Sequence, residues 1–251
     1  MLPVLANHSH EFTPTPLRTR RDFLIALAAT LLLSSGAHSA AQAAELPPYC
    51  SLDPNIDLTR FKARSSTGNN RMDKALISEL KHILQVMQIS PGFRIIDDLG
   101  GPNAFAIDRT LVRGTKGTVL FGINLLSEEL VAKAGGYAIA GIAAHECSHV
   151  FQYQSPFGAR LTRGARTAKP MELHADFLAG FYLGQKRGSD LHIETFAKSL
   201  YDKGDWNFND PGHHGTPDER VNAMKRGFAL ARDKKSFSEA AENGAIYVLS
   251  L

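Results

Sequence analysis

The chain of 251 residues is poor in cysteine and tryptophan, with two cysteines, Cys50 and Cys147, and a single tryptophan. One cysteine pair is not the disulfide framework on which small secreted domains depend, so the fold must rest on a packed apolar core. We expect Cys147 to be a small buried residue in that core. No lipid-acceptor pattern precedes Cys50, so the sequence does not predict a lipoprotein.

Basic tracts are also absent. The formal net charge is +3, and the chain has neither a long run of lysine and arginine nor a basic face interleaved with aromatic residues. Either feature would be the electrostatic signature of nucleic-acid binding. Nucleic acid is therefore not an expected partner of this protein.

The N-terminal apolar run, Phe23 to Leu33, is too short to span a bilayer as a permanent anchor. Arginines precede this run and small residues ending at Ala43 follow it, which is the three-part layout of an export signal. The adjacent arginines in "TRRDFL" are typical of the twin-arginine route. We expect residues 1–43 to be a signal peptide of a periplasmic or secreted protein, with no membrane span after its removal. A short membrane anchor or a coincidental arginine pair is the alternative.

Residues 44–70 are rich in Pro, Ser and Asn and are expected to wrap the surface, ahead of one domain over 71–251. Three short apolar segments broken by turns, within 93–123, predict a small antiparallel sheet of about three strands. Segregation of these strands from the helices indicates an α+β fold. Helical periodicity predicts a helix from Met72 onward and others near 127–133, 136–153, 170–187, 190–203, 217–232 and 235–243.

The segment before the helix near 217–232 has clear helix-start signals. Thr216 can cap that helix, Pro217 suits its first position, and Glu219 completes a capping box. The preceding loop, which contains His213 and His214, should therefore be held at a fixed point.

The stretch "GIAAHECSHVFQY" carries His145 and His149 four residues apart, with Glu146 between them. On a helix, both imidazoles lie on one face and can converge on one metal ion. Zinc suits such ligands, and Glu146 beside the ion can deprotonate a water molecule. The same five-residue pattern also arises by chance, so it requires support from a second feature.

That feature is "MELHADFLAGFYLG", in which Glu172 and Asp176 project from one face of a predicted helix. Glu172 can be the third zinc ligand, and Asp176 can accept a hydrogen bond from the distal nitrogen of a liganding histidine. A solvated helix face is the alternative for both carboxylates. His174 could compete with Glu172 as a ligand, although it points away from the face that Glu172 and Asp176 share.

A metzincin ligand scheme does not fit the chain. It requires a glycine three residues and a histidine six residues after the second histidine of the motif. The chain has Gln152 and Ser155 at these positions.

The motif H-E-x-x-H followed by E-x-x-A-D, at Glu172 to Asp176, resembles the gluzincin metallopeptidases of the HtpX and CAAX prenyl protease family. The similarity extends upstream to "PNAFAID" and "GTVLFGINLLSEELVAKAGGYAIAGIAAHECSH", and downstream to "HGTPDERVNAM". It covers roughly residues 93–228, most of the chain after the signal. The stretch "ELHADFLAGFY" is also similar to a related group of bacterial neutral zinc metallopeptidases.

The resemblance implies a zincin-like domain, in which the edge strand of the small sheet packs on a mostly helical body. It implies one zinc ion per chain on the three ligands above, with Glu146 as general base and Asp176 as a supporting carboxylate. The edge strand would line the cleft and pair with an extended peptide through Asn103, Ala104, Phe105 and Ala106.

Some positions depart from the family pattern. The family has His-Pro where this chain has His214-Gly215-Thr216-Pro217, and an aromatic residue is often found where this chain has Leu173. The membrane chamber of the family has no counterpart, which removes membrane-embedded and prenylated substrates.

Two further residues have candidate roles. His214, in its glycine-bounded loop, is the first choice for stabilising the oxyanion, and Arg220 could brace Asp176 or the loop. The alternatives are a surface histidine pair at 213–214 and an ordinary salt bridge of Arg220 on a helix surface.

Together these features predict an exported zinc-dependent endopeptidase that acts on peptides or unfolded proteins. Two other classes remain open. One is a non-catalytic, zinc- and peptide-binding module of a periplasmic chaperone kind, and the other is an amidase that acts on cell-wall material.

Overall fold

The computed structural model describes residues 58–99, 101–131, 134–186, 192–202 and 204–251. The predicted signal peptide, residues 44–57 and Cys50 lie outside the described residues. Within the described ranges the chain is α+β, with eight helices and one four-stranded sheet. Over the same ranges, no helix combines the length and the apolar character needed to cross a membrane.

The strands are short and all precede the second helix. They are β1 (Ala63–Arg64), β2 (Gly92–Ile96), β3 (Ala104–Ile107) and β4 (Thr118–Gly122). The helices are α1 (Asn70–Met87), α2 (Ile123–Val131), α3 (Gly135–Gln154), α4 (Pro156–Thr162), α5 (Lys169–Gly184), α6 (Ile193–Asp202), α7 (Pro217–Arg232) and α8 (Phe237–Leu249).

The sheet is mixed, so the prediction of an antiparallel sheet of three strands was wrong. The strand order is β1-β2-β4-β3, and β2 pairs with β4 in parallel. Parallel neighbours require a crossover, and the connection from β2 to β4 supplies it by placing β3 on the far side of β4. The turn residues before β3 therefore redirect the chain and do not close a hairpin with β2.

The fourth strand comes from the segment that was expected only to wrap the surface. β1 pairs antiparallel with β2, and Phe61 just before it is buried. The Phe61 ring lies 5.3 Å from the ring of Phe105. This short segment therefore covers one face of the sheet and belongs to the apolar core.

The helix predictions hold for every long helix, with shifts at the ends. α2 begins four residues before the predicted start, because the buried carboxylate of Asp98 accepts hydrogen bonds from the backbone N–H groups of Asn124 (2.8 Å) and Leu125 (3.0 Å). α4 was not predicted, and α8 extends beyond its predicted end. The predicted capping box of α7 is present at Thr216 and Glu219.

Helices α3 and α5 form the centre of the fold. α5 is buried at every position from Met171 to Gly184, and α3 is buried along most of its length. Cys147 is fully buried on α3, as expected. Because both helices lack a solvent face, each polar side chain on them needs a partner inside the protein.

Helices α5 and α7 approach each other closely through two glycines. A Cβ atom at Gly227 would lie 1.8 Å from the carbonyl oxygen of Phe177, and one at Gly180 would lie 2.0 Å from that of Met224. No larger residue fits at either position without moving a helix. The close approach also brings Arg220 of α7 to the polar residues of α5.

We predict that Gly227→Ala lowers the free energy of unfolding by about 1–3 kcal/mol, because the added methyl group meets rigid backbone. Urea denaturation followed by circular dichroism measures the change. Gly212→Ala, at an exposed position, is the control, since its Cβ would meet only a carboxylate oxygen of the exposed Asp210, at 3.2 Å. This variant should change the free energy of unfolding by less than about 0.5 kcal/mol. Equal losses for the two variants would contradict the close backbone contact.

Candidate metal centre

Three potential metal ligands from two helices meet in the core. His145 and His149 lie one turn apart on α3, and Glu172 lies in the first turn of α5. The exposed fractions of His145, His149 and Glu172 are 4%, 0% and 0%, respectively. These three side chains form a buried group, here called the metal group, that could hold a metal ion.

The spacing of the three side chains suits an ion of the size of zinc. The two Nε2 atoms are 3.1 Å apart, and they lie 3.3 Å (His145) and 3.2 Å (His149) from the carboxylate oxygens of Glu172. Ligands at about 2.0–2.1 Å from a tetrahedral zinc ion are separated by about 3.3 Å from one another. The three side chains therefore stand at separations close to those around one zinc ion, with each histidine facing a different oxygen of Glu172.

The Nδ1 atoms of the two imidazoles lie next to side-chain oxygens, which turns both Nε2 atoms towards Glu172. His145 Nδ1 lies 2.8 Å from a carboxylate oxygen of Asp176, and His149 Nδ1 lies 2.8 Å from the side-chain oxygen of Gln152. An N–H at each Nδ1 leaves both Nε2 atoms as acceptors. Both oxygens of Glu172 are buried without a hydrogen-bond donor. A cation at the centre of the triangle would satisfy all of these groups.

Asp176 is braced by an arginine. Arg220 donates from Nε and Nη2 to the two carboxylate oxygens of Asp176, at 2.8 and 3.0 Å. Arg220 is 2% exposed, so this is a buried pair and not a salt bridge on the helix surface. Burial raises the pKa of Asp176, but the charges of Arg220 and His145 outweigh it and lower the pKa.

The carboxylates in turn act on His145. Burial lowers the pKa of its imidazole, but Asp176 and then Glu172 outweigh this effect and raise the pKa to about 10. Burial likewise raises the pKa of Glu172, while His149 and His145 hold it well below its usual range. Without a cation, a proton on His145 thus balances the negative charge of the group.

Glu146 lies next to this group and is 2% exposed. Burial raises the pKa of its carboxyl, and the nearby His145, His149 and Arg220 reduce the shift only in part. A carboxylate with a raised pKa is suited to accept and return a proton.

The loop before α7 is tied together by Asp205, a residue that the sequence analysis did not single out. The carboxylate of Asp205 lies 2.5 Å from His213 Nδ1 and accepts a hydrogen bond from the backbone N–H of His214 at 3.0 Å. His213 is buried and His214 is partly buried, so they are not a surface pair. His214 also helps to lower the pKa of Glu172, which places its imidazole within electrostatic reach of the three ligands.

Strand β3 lies at one edge of the sheet, beside α3. The hydroxyl of Tyr153 donates to the carbonyl oxygen of Ala106 at 3.4 Å, and the Tyr153 ring stacks on His149. Asn103, Ala104, Phe105 and Ala106 are all 5% exposed or less. The structure thus brings the predicted substrate strand near the metal group, but the strand is buried.

His174 lies outside the metal group. Its Nε2 is 3.0 Å from the carbonyl oxygen of Ala241 on α8, and its Nδ1 is 3.0 Å from the side-chain nitrogen of Gln152. Gln152 was noted in the sequence only as an absent glycine. Its position three residues after His149, on the same helix face, was the signal that could have identified it.

Comparisons of the chain with protein-family models, with curated proteins and with solved structures return no match. The resemblance to the HtpX and CAAX prenyl protease family therefore stays a prediction.

We predict an acid-dependent loss of stability caused by His174. Burial lowers its pKa from 6.5 to about 4, so between these pH values the unfolded chain binds a proton that the folded chain does not. The free energy of unfolding therefore decreases as the pH falls through this window. The decrease caused by His174 is at most roughly 3 kcal/mol.

Urea denaturation with a chelator present, from neutral pH down to about pH 4, measures this effect. The stability advantage of the wild type over His174→Gln should shrink as the pH falls. His192→Gln, at a partly exposed histidine whose ring is tilted against that of Tyr137, is the control and should leave the pH dependence unchanged. A constant advantage of the wild type over His174→Gln would contradict the assignment.

Proposed function

We propose that this protein is a zinc-dependent endopeptidase that hydrolyses peptide bonds in exported or periplasmic proteins. The observation that carries the proposal is the buried triangle of His145, His149 and Glu172 with edges of 3.1–3.3 Å, with Glu146 beside it. Three protein ligands are the number found in catalytic zinc sites, whereas structural sites have four. Export by the twin-arginine route, as the sequence of residues 1–43 predicts, would place the enzyme outside the cytoplasm.

Several buried polar residues around the triangle have roles in this proposal. A bound zinc ion would polarise the scissile carbonyl and lower the pKa of the attacking water. Glu146 accepts the proton of that water and delivers it to the leaving amine. Asp176, held by Arg220, orients His145 through its Nδ1.

His214 is the proposed donor to the oxyanion. Asp205 holds the backbone of His214, and its carboxylate also lies 3.5 Å from His214 Nδ1. The capping box of Thr216 and Glu219 fixes the point at which the loop enters α7. A donor fixed in this way stabilises developing negative charge without first having to reorganise.

The edge strand offers a place for an extended substrate. Asn103 accepts a hydrogen bond from Gly122, and bonded pairs alternate along antiparallel strands, so the backbone groups of Ala104 and Ala106 face away from β4. A peptide added as a further strand would pair with these groups. Because β3 is buried, the residues that bury it must move before the peptide can bind.

The same burial favours a second candidate, a non-catalytic module that binds zinc and peptide. Such a module could hold zinc without admitting a substrate to it, and the ligands here are 4% exposed or less. Glu146 separates the two candidates, since only the peptidase needs its carboxylate.

We predict that Glu146→Gln keeps zinc and loses peptide hydrolysis by at least about 100-fold, because the amide cannot accept the proton. Cleavage of casein and of a peptide library, with and without a chelator, measures the loss, and metal analysis verifies the zinc content. Glu128→Gln, at an exposed position on α2, is the matched control and should retain full activity. Full activity of Glu146→Gln would exclude the peptidase mechanism, and a zinc-loaded wild type without any cleavage would favour the binding module.

We predict that Glu172→Ala loses the metal, because two imidazoles alone hold zinc weakly. Zinc per chain after dialysis is the measurement, and Asp218→Ala at an exposed position on α7 is the control. Retention of one zinc ion per chain in Glu172→Ala would remove Glu172 from the ligand set.

A further inference from the structure

Gln152 occupies a fully buried position one turn after His149 on α3. Its side-chain oxygen lies 2.8 Å from His149 Nδ1. Its side-chain nitrogen lies 2.9 Å from the carbonyl oxygen of Met171 and 3.0 Å from His174 Nδ1. All polar atoms of the amide are thus within hydrogen-bond distance of α3 or α5 residues.

Two backbone carbonyls determine the direction of every hydrogen bond in this chain of contacts. The carbonyl of Met171 can only accept, so the amide nitrogen of Gln152 must face it. The amide oxygen must then face His149, and His149 Nδ1 must carry the hydrogen. In the neutral imidazole, the lone pair of His149 is then on Nε2, which is the atom that faces Glu172 and His145.

The second carbonyl acts through His174. Ala241 on α8 accepts from His174 Nε2, so His174 Nδ1 has the lone pair that receives the second hydrogen of the Gln152 amide. The path His149, Gln152, His174 and Ala241 links α3, α5 and α8. Within it, each donor has one acceptor, and no other assignment of hydrogens satisfies both carbonyls.

We infer that Gln152 is a positioning residue that keeps His149 in the tautomer with its hydrogen on Nδ1, ready to bind a metal through Nε2. The inference rests on the proposed metal site. Asp176 plays the corresponding part for His145, but with a charged carboxylate. The two histidine ligands are therefore held by different chemistry, and only His149 is tied to the C-terminal helix.

The tautomer of His149 in the metal-free wild type tests the inference directly. Long-range proton–nitrogen correlation spectra of the chain with labelled histidine distinguish the two ring nitrogens. We expect a hydrogen on Nδ1 and a bare Nε2 at neutral pH in the wild type. A hydrogen on Nε2 would overturn the inference, and this result does not depend on whether the protein binds zinc or cleaves peptides.

Zinc affinity, measured by competition with a chromophoric chelator, is the second test. Gln152→Leu should weaken zinc binding by about 10–100-fold, the usual effect of losing such a partner of a ligand. Gln152→Glu keeps an acceptor for His149 Nδ1 and should bind zinc far more tightly than Gln152→Leu. Ser148→Ala, beside His149 and equally buried, loses only the hydroxyl's bonds to the helix carbonyl of Ala144 and to the sulfur of Met87, and it should match the wild type.

A merely structural role would give a different pattern. His174→Leu removes the hydrogen bond from α5 to Ala241 on α8 but leaves Met171 to orient Gln152, so zinc affinity should fall much less than in Gln152→Leu. Equal losses in these two variants, or wild-type affinity in Gln152→Leu, would overturn the inference. A wild type that binds no zinc would instead contradict the proposed metal site, while the tautomer measurement would still decide the role of Gln152.

Discussion

The meeting of a carboxylate and two imidazole lone pairs inside an apolar core is the constraint on which the rest of this structure depends. Glu172, His145 and His149 lie on helices that have no solvent face, so water cannot compensate their charge. Three acceptors at 3.1–3.3 Å repel one another unless a cation or a proton lies between them. The surrounding residues serve to keep these acceptors in place.

That support extends outward through two routes of different character. One runs from His145 through Asp176 to Arg220, and it requires the close contact of α5 and α7 that Gly180 and Gly227 permit. The other is neutral and runs through Gln152 to backbone carbonyls. A charged route strengthens the donor power of its imidazole, whereas a neutral route fixes orientation without adding charge to the core. Packing and chemistry are therefore coupled, because a shift of α7 would release Arg220 and leave Asp176 without its counter-charge.

The same burial shapes the proposed function. An edge strand with outward-facing backbone groups, a fixed histidine loop and a carboxylate of raised pKa are together what peptide hydrolysis at a zinc ion would use. Yet the strand and the metal group are buried, so the residues that bury them would have to move before a substrate could bind. In such an enzyme, access would control activity as much as the chemistry does.

The sequence by itself determined the long helices, the α7 capping box and the helix face that each pair of polar residues shares, because these depend on spacings within one helix or one turn. The meeting of Glu172 with the two histidines required the packing of α5 on α3. Four-residue spacing places His145 and His149 on one face, and Glu172 and Asp176 on another, whatever the rest of the fold does. Other features came only from tertiary structure: the parallel pairing of β2 with β4, the cap that Asp98 supplies to α2, and the roles of Gln152 and Asp205. Each of these depends on groups that are distant in the chain and meet only after packing, so no local pattern records them. Local periodicity specifies which side chains share a face, whereas the partner that each buried polar group finds is decided by which helices pack together.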